Sequence, residues 1–367
     1  MELAVREKSA WIPSLLLSLS LAAMGVQAAP DSAGTTPERT DGSRMFIIGS
    51  TLMAPYIKDV IEHLSTNAGI PAAIMVNKGS ARGVDAFCSG IGIQYPDVVA
   101  VSRRIRSVEL DRCQANGVTD VMEIQVGYAA TAIISRADDQ TYPLTLNSLY
   151  RAIARELPEG SDFHLNTKTK WKDVDSRLPD TDIRFIVATP ALGGRGFMED
   201  RMLQQACRGI FEIKAIFNAE DRVKQCITLR DDGRIIELDA PYEQNVLKAL
   251  QTSPPGTLAV VPTNFATSHL DVEKIQPLEG ILPTEQTIAD GSYDFVRPLY
   301  FYVKKAHVKN YLGQGPVAGL REFITEVTRE SSVGPNGYMV TRGIFPMHEE
   351  MRASVRASAL RLTPMVR

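Results

Sequence analysis

The chain has 367 residues, 44% apolar and 23% charged, with a formal net charge of −3. That near-neutral balance argues against nucleic acid as a partner, and the length exceeds one typical domain and points to two. The four cysteines form no CxxC pair, which argues against zinc or thioredoxin-type chemistry.

Met1 to Lys8 is a short charged start, and Ala10 to Gly25 is a run rich in Leu, Ala and Ser. The run closes at Val26-Gln27-Ala28 before Ala29-Pro30, which is the layout of a secretory signal peptide. A membrane helix needs about 20 apolar residues; this run is shorter and is interrupted by Pro13 and several serines. No cysteine lies at the cleavage point, so lipid attachment is not expected there. Residues 1–28 are therefore expected to be a signal peptide cleaved after about Ala28, which places the mature protein outside the cytoplasm, in a bacterial periplasm. Residues 29–43, rich in Thr, Asp, Gly and Ser, read as a flexible leader.

The ordered chain opens with an apolar strand at Met45 to Ile48. Ala54 to Asn67 carries Ile57, Val60, Ile61 and Leu64 at helical spacing. Strands at Ala72 to Val76 and Val98 to Val101 then alternate with helices at Gly83 to Ser89 and Val108 to Asn116. This alternation is the signature of an α/β layer with a largely parallel sheet. Val121 to Ser135 is a long β-like stretch that leads from one domain to another near Gly127 to Ala130. Leu146, Leu149, Ile153 and Leu157 mark a helix with Thr145 as N-cap. Residues 158–181 form a long polar connection holding Trp171, of a length that is usually functional or contains unseen structure. A strand at Ile183 to Val187 follows, then helices at Phe197 to Cys207, Ala219 to Ile227 and Tyr242 to Leu250. Leu258 to Val261 is a strand, and Leu299 to Val303 is a second apolar strand that crosses back. Val317 to Arg329 reads as a helix, and the arginine-rich tail as a solvated helix in which Glu349 and Glu350 oppose the arginines. Cys88, Cys113, Cys207 and Cys226 admit three pairings. The local pairs Cys88–Cys113 and Cys207–Cys226 are favoured because each joins adjoining helical regions in one half of the chain. Four reduced thiols are the alternative.

Four short polar patches sit where apolar runs end: Gly49-Ser50-Thr51, Gly79-Ser80-Ala81-Arg82-Gly83, Ser102-Arg103-Arg104 and Gly193-Gly194-Arg195-Gly196. Small hydroxyl residues, glycine and arginine at strand ends and helix starts offer donors and positive charge to an anion. Taken singly, the first two patches read as a helix cap and a glycine-rich turn. The glycines around Arg195 sacrifice helix propensity and permit close backbone approach. Arg104 and Arg106 are assigned to the surface. The histidines, at positions 63, 164, 269, 307 and 348, are scattered without HExxH spacing, and neither a GxSxG elbow nor a P-loop occurs. No catalytic residue, metal site or cofactor is expected.

In order and spacing the patches resemble the periplasmic phosphate-binding proteins that feed ABC transporters. Gly49-Ser-Thr-Leu-Met-Ala-Pro55 is similar to that family's G-S-[ST]-x-x-x-P turn. Gly79-Ser-Ala-Arg-Gly-Val-Asp-Ala-Phe-Cys88 is similar to its G-[TS]-G-G-G-x-x-x-F-C segment, and Ala100-Val-Ser-Arg-Arg-Ile105 to A-S-R-x-I. Glu123 to Tyr128, Trp171-Lys-Asp-Val, Leu178-Pro179, Arg297-Pro-Leu-Tyr300, Gly337-Tyr338 and Gly343-Ile344 fall on further landmarks. The resemblance covers roughly Met45 to Met347. It implies a type II periplasmic binding protein: two α/β lobes joined by two hinge strands, with the ligand cleft between them. The implied ranges are 44–128 for the first part of lobe one, 129–296 for lobe two, 297–346 for the return of lobe one and 347–367 for a C-terminal tail helix.

The implied ligand is inorganic phosphate, held by Ser50, Thr51, Ser80, Arg82, Ser102, Arg103, Gly194 and Arg195. The implied partner is the membrane permease of an ABC importer, and the expected oligomeric state is a monomer. Two departures stand out. The family's S-G-T-R-D loop is Leu192-Gly193-Gly194-Arg195-Gly196 here, and the central glycine of the second patch is Arg82. A carboxylate that accepts the phosphate proton is to be sought among Asp85, Asp97, Glu199 and Asp200. The alternatives are a secreted binding protein for another oxyanion and a secreted enzyme acting on phosphate esters.

Overall fold

A computed structural model describes residues 42–160, 162–309 and 316–366. The expected signal peptide and the leader up to residue 41 lie outside the described residues. The strands in chain order are β1 (Phe46–Gly49), β2 (Ile74–Asn77), β3 (Val98–Val101), β4 (Val121–Arg136), β5 (Glu156–Glu159), β6 (Asp162–Leu165), β7 (Arg184–Ala188), β8 (Ile235–Leu238), β9 (Thr257–Pro262), β10 (Glu273–Gln276) and β11 (Val296–Lys304). β5 and β6 pair as a separate two-stranded ribbon. The others run in the order β2-β1-β3-β11-β4-β9-β7-β8, with β10 also on β4.

Two α/β lobes share β4. In lobe one, β1 lies parallel between β2 and β3, and β11 runs antiparallel to β3 and β4. In lobe two, β7 lies parallel between β8 and β9, while β4 runs antiparallel to β9 and β10. Each lobe thus repeats one plan, three parallel strands followed by an antiparallel one. The inner parallel strands β1, β3, β7 and β9 are apolar on both faces because both faces are covered. Ile47, Val98 and Ala100 face one buried cluster, and Phe46, Ile48, Val99 and Val101 face another. Lobe two does the same with Phe185, Val187 and Leu258 on one side and Ile186, Ala188 and Ala259 on the other.

The crossing is built from β4 and β11, paired from Ala130–Val296 to Val121–Lys304, with a register shift at Leu299/Tyr300. A third segment joins it: Tyr128 and Phe345 exchange backbone hydrogen bonds of 2.9 and 2.8 Å. Gly127 has a φ of +146°, and a Cβ there would lie 2.6 Å from the Phe345 carbonyl oxygen, so this approach requires glycine.

Both disulfides, Cys88–Cys113 and Cys207–Cys226, are present. Thr145 caps the helix Leu146–Ile153 by accepting from the Ser148 N–H. That helix ends sooner than its apolar spacing suggests: Leu157 lies in β5, and the polar connection after it contains β6 and the short helix Trp171–Val174. Trp171 is buried and donates to the Gly256 carbonyl at 2.8 Å.

The tail differs from the solvated helix expected. Helix Glu349–Leu360 docks on lobe one through Ala359 and, just beyond it, Leu362. Arg352 is buried and pairs with Glu330 at 3.0 Å rather than with Glu349 or Glu350. Arg356 reaches the Thr325 carbonyl, and the Met365 N–H donates to Val121. Among the described residues no helix is long and apolar enough to cross a membrane.

Candidate functional site

The loops after β1 and β3 and the start of helix Ser80–Phe87 meet at the carboxyl edge of the lobe-one sheet, where parallel α/β sheets generally bind ligands. Gly49 ends β1 with a φ of +154°, and a Cβ there would fall 2.0 Å from the Ala100 carbonyl oxygen. The Ser50 N–H donates to that carbonyl at 2.8 Å. Ser50 is buried, and its hydroxyl caps the turn Thr51–Met53 by accepting from the Leu52 N–H at 3.2 Å. Thr51 is exposed at the tip of the turn. Gly83 brings its helix onto this loop; a Cβ there would sit 3.0 Å from the Gly49 Cα. Ser80 opens the helix, and its Oγ accepts from the Ser102 N–H at 3.3 Å and lies 3.5 Å from the Ser102 Oγ. Ser102 is buried.

The arginines divide by what their forks hold. Arg103 is bidentate on Glu109 at 2.8 and 2.6 Å. Burial raises the Glu109 carboxyl pKa, but the Arg103 fork and the Arg106 N–H outweigh it and hold it below the ordinary value. Arg104 pairs with Glu123, and Arg82 is exposed. Arg195 is buried and committed to its own lobe: Nε to Glu199 at 2.7 Å, and Nη1 to Glu237 at 2.6 Å and to the Ala188 carbonyl at 3.2 Å.

Arg297, on the return strand β11, does what sequence reasoning had not assigned to it. Its Nη1 lies 3.4 Å from the Ser102 hydroxyl of lobe one. Its Nη2 donates to the Gly196 carbonyl at 3.0 Å and to Asp200 at 3.1 Å, both in lobe two. Its guanidinium lies 4.6 Å over the Phe197 ring. Burial lowers its pKa from the ordinary value, and Asp200 opposes that shift. The signal in the sequence was an arginine near the start of a crossing strand whose next six residues, Pro298 to Val303, carry no charge.

Beside this cluster the cleft encloses about 530 Å³. Thr51, Leu52, Pro55 and Tyr56 line it from lobe one, and Gly194, Arg195, Phe197 and Tyr242 from lobe two. Thr51, Gly194 and Arg195 thus share this cavity, whereas Ser80 and Ser102 gather at Arg297. Of the four carboxylates considered as acceptors, Asp85 pairs with Arg112 and Glu199 with Arg195. Asp97 accepts from the Phe46 N–H at 2.7 Å and contacts His307 at 2.6 Å. Asp200 stands at the cluster. The histidines with described partners serve elsewhere: His63 stacks on Tyr338, His269 packs on Phe265, and His307 accepts from the Gly92 N–H. Among the described residues no group of His, Cys, Asp and Glu is placed to hold a metal ion.

Set against known proteins, residues 32–331 match the model of the PBP superfamily domain. Phosphate-binding protein PstS of Staphylococcus epidermidis is 23% identical over 266 residues, covering 71% of this chain and 69% of its own. The same-named protein of Staphylococcus haemolyticus is 24% identical over 264 residues, covering 71% of each. A crystal structure described as a possible phosphate binding protein from Planctomyces limnophilus shares the fold with a TM-score of 0.61 at 19% identity, over 86% of this chain and 98% of that one. PstS from Borrelia burgdorferi shares it with a TM-score of 0.56 at 17% identity, over 83% and 98%.

Proposed function

This chain belongs to the PBP superfamily, and on that premise we propose that it captures inorganic phosphate between its lobes and delivers it to the permease of an ABC importer. The observation that carries the reading is the Ser80–Ser102–Arg297 cluster, which joins lobe-one hydroxyls to a partly buried guanidinium in contact with lobe two. Hydroxyl and guanidinium donors suit phosphate because their bonds to an oxyanion are charge-assisted and an arginine fork matches two oxygens. Relatives named as phosphate-binding proteins support the same ligand.

In this reading Ser50, Thr51, Ser80, Ser102 and Gly194 line the anion site together with Arg297. Arg82 adds positive charge at the rim, and Arg103 and Arg195 brace the loops that carry the donors. Residues 44–128 and 297–346 form one lobe, residues 129–296 the other, and 347–367 the tail. The signal-peptide layout supports a periplasmic location with cleavage after about Ala28. The protein acts as a monomer and as a binding protein rather than an enzyme, a reading supported by its superfamily and by relatives named as phosphate-binding proteins.

Calorimetric titration of the mature protein, stripped of ligand, with phosphate, sulfate and arsenate tests this. Saturable phosphate binding at one site per chain is expected, with sulfate weaker. Tighter binding of sulfate than of phosphate would point to the other-oxyanion reading, and no phosphate binding would end the proposal.

A further inference from the structure

A guanidinium carries five N–H donors, and Arg297 uses them sparingly. Its Nε is buried without a hydrogen-bond partner. Its Nη1 contact to Ser102 is 3.4 Å, and its ion pair to Asp200 is 3.1 Å. Charge-assisted pairs normally lie at about 2.7–2.9 Å, and the neighbouring arginines are at least as close: Arg103 to Glu109 at 2.6 Å and Arg195 to Glu237 at 2.6 Å. Arg297 is therefore partly buried, 16% of its side chain being accessible, and under-satisfied at its buried Nε and at its longer contacts to Ser102 and Asp200, whereas Arg103 and Arg195 make short carboxylate bonds.

Its carboxylate partner sits in an unusual place. Asp200 lies in Glu199–Gln204, a π-helical segment that follows directly on the helix Gly193–Met198. π-Helical turns are rare and concentrate at functional sites. In this segment Glu199 holds Arg195 while the adjacent Asp200 holds Arg297. Asp200 is part-exposed, with 41% of its side chain accessible, so it can leave Arg297 for water without an unpaired charge being buried.

We propose that Arg297 is the guanidinium that an incoming phosphate engages, and that Asp200 is the internal carboxylate which the phosphate displaces from it. The inference rests on the phosphate reading and adds a specificity to it. Ser102 and the unused donors of Arg297 are oriented before the ligand arrives, while the negative charge of Asp200 sets a threshold that a weakly charged ligand does not cross. Displacement also releases the Glu199–Gln204 segment from β11, which couples ligand capture to the contact between the lobes.

The test is calorimetric titration of the ligand-stripped mature protein and of its Asp200→Asn and Arg297→Gln variants with phosphate and with sulfate. Asp200→Asn removes a competing negative charge within a few ångströms of the anion, so phosphate affinity rises about tenfold. Sulfate affinity rises by a similar factor, because displacement does not depend on a proton of the ligand. Arg297→Gln lowers phosphate affinity at least about tenfold. Unchanged or weaker phosphate binding by Asp200→Asn overturns the proposal; weaker binding confined to phosphate would make Asp200 an acceptor of the ligand's proton instead. Asp200→Asn decides the matter even where Arg297→Gln fails to fold, since the asparagine keeps the shape of a part-exposed side chain. A parent protein that binds no phosphate sinks the functional reading itself, whereas a parent that binds normally beside an indifferent Asp200→Asn sinks only this inference.

Discussion

An arginine beside a cleft is informative only once its partners are counted. Arg195 lines the cavity, yet its Nε and Nη1 go to Glu199, Glu237 and the Ala188 carbonyl. Removing one partner of a buried ion-paired group leaves the others uncompensated. Arg195→Ala is therefore expected to destabilise the protein by about 2 kcal/mol, reduced from the fully buried case because Glu237 is half exposed. The measurement is the urea midpoint, with phosphate affinity read on the same variant; Arg195→Lys should rescue little, since one ammonium does not reproduce a fork shared by two carboxylates. An unchanged midpoint would show that the brace carries no load. The four polar patches were legible in the sequence because small residues at strand ends leave few other uses for a glycine such as Gly49, which nothing larger can replace against Ala100. The partners of the arginines were not legible. Glu109 and Glu199 are near in sequence to the residues they hold, but Glu237 is 42 residues from Arg195, and Asp200 is 97 from Arg297. Sequence spacing does not show contacts made by folding across the sheet.

Elements were legible in proportion to how much of them is buried. β4 was visible as one long apolar stretch because it serves two sheets and is covered along most of its length. β8 and β10 were missed because four residues each, Ile-Ile-Glu-Leu and Glu-Lys-Ile-Gln, both interrupted by charge, are too short to show a clear period and sit at the margins of the sheet. Leu157 continued the helical spacing, but Pro158 follows it and the chain turns into a ribbon, since a proline cannot continue the helical ladder. The tail helix was misjudged for a related reason. Its arginines looked like a solvated face, whereas Arg352 is buried, donating to the Met347 carbonyl at 2.5 Å and to Glu330. Long cationic side chains bury their stems against apolar surface while the head finds a partner. Arg352→Ala is expected to cost about 2–3 kcal/mol and to lower the melting temperature by several degrees. Differential scanning calorimetry checks it, and a shift under one degree would mean that the Arg352 contacts do not hold the helix in place.

The two lobes share β4 and so cannot lose their sheets separately: residues 121–130 of this strand pair with β11, and residues 131–134 with β9. Unfolding is therefore expected to be one cooperative event. Glu273, on β10 beside β4, offers a way to see it. Its side chain is buried, neither carboxylate oxygen has a hydrogen-bond partner, and burial, aided by the nearby Asp271 charge, pushes its pKa up to about 8. A carboxyl with a folded pKa above its unfolded value binds more protons in the native state, so stability falls as pH rises between the two values. The contribution of Glu273 is thus fully present below about pH 4.5 and lost progressively up to about pH 8. It amounts to a few kcal/mol at most, at about 1.4 kcal/mol per pKa unit. Glu273→Gln stays neutral throughout, so its urea midpoint should lose the part of the pH slope that the parent shows between pH 5 and 8. Trp171 fluorescence reports lobe two, while far-UV circular dichroism reports both lobes. Because β4 belongs to both sheets, the two signals should move together at every pH, in the parent and in the variant alike. Coincident transitions with the same pH slope in both proteins would show that Glu273 keeps its charge when folded. Separate transitions for the two signals would show instead that the shared strand does not bind the lobes into one unit.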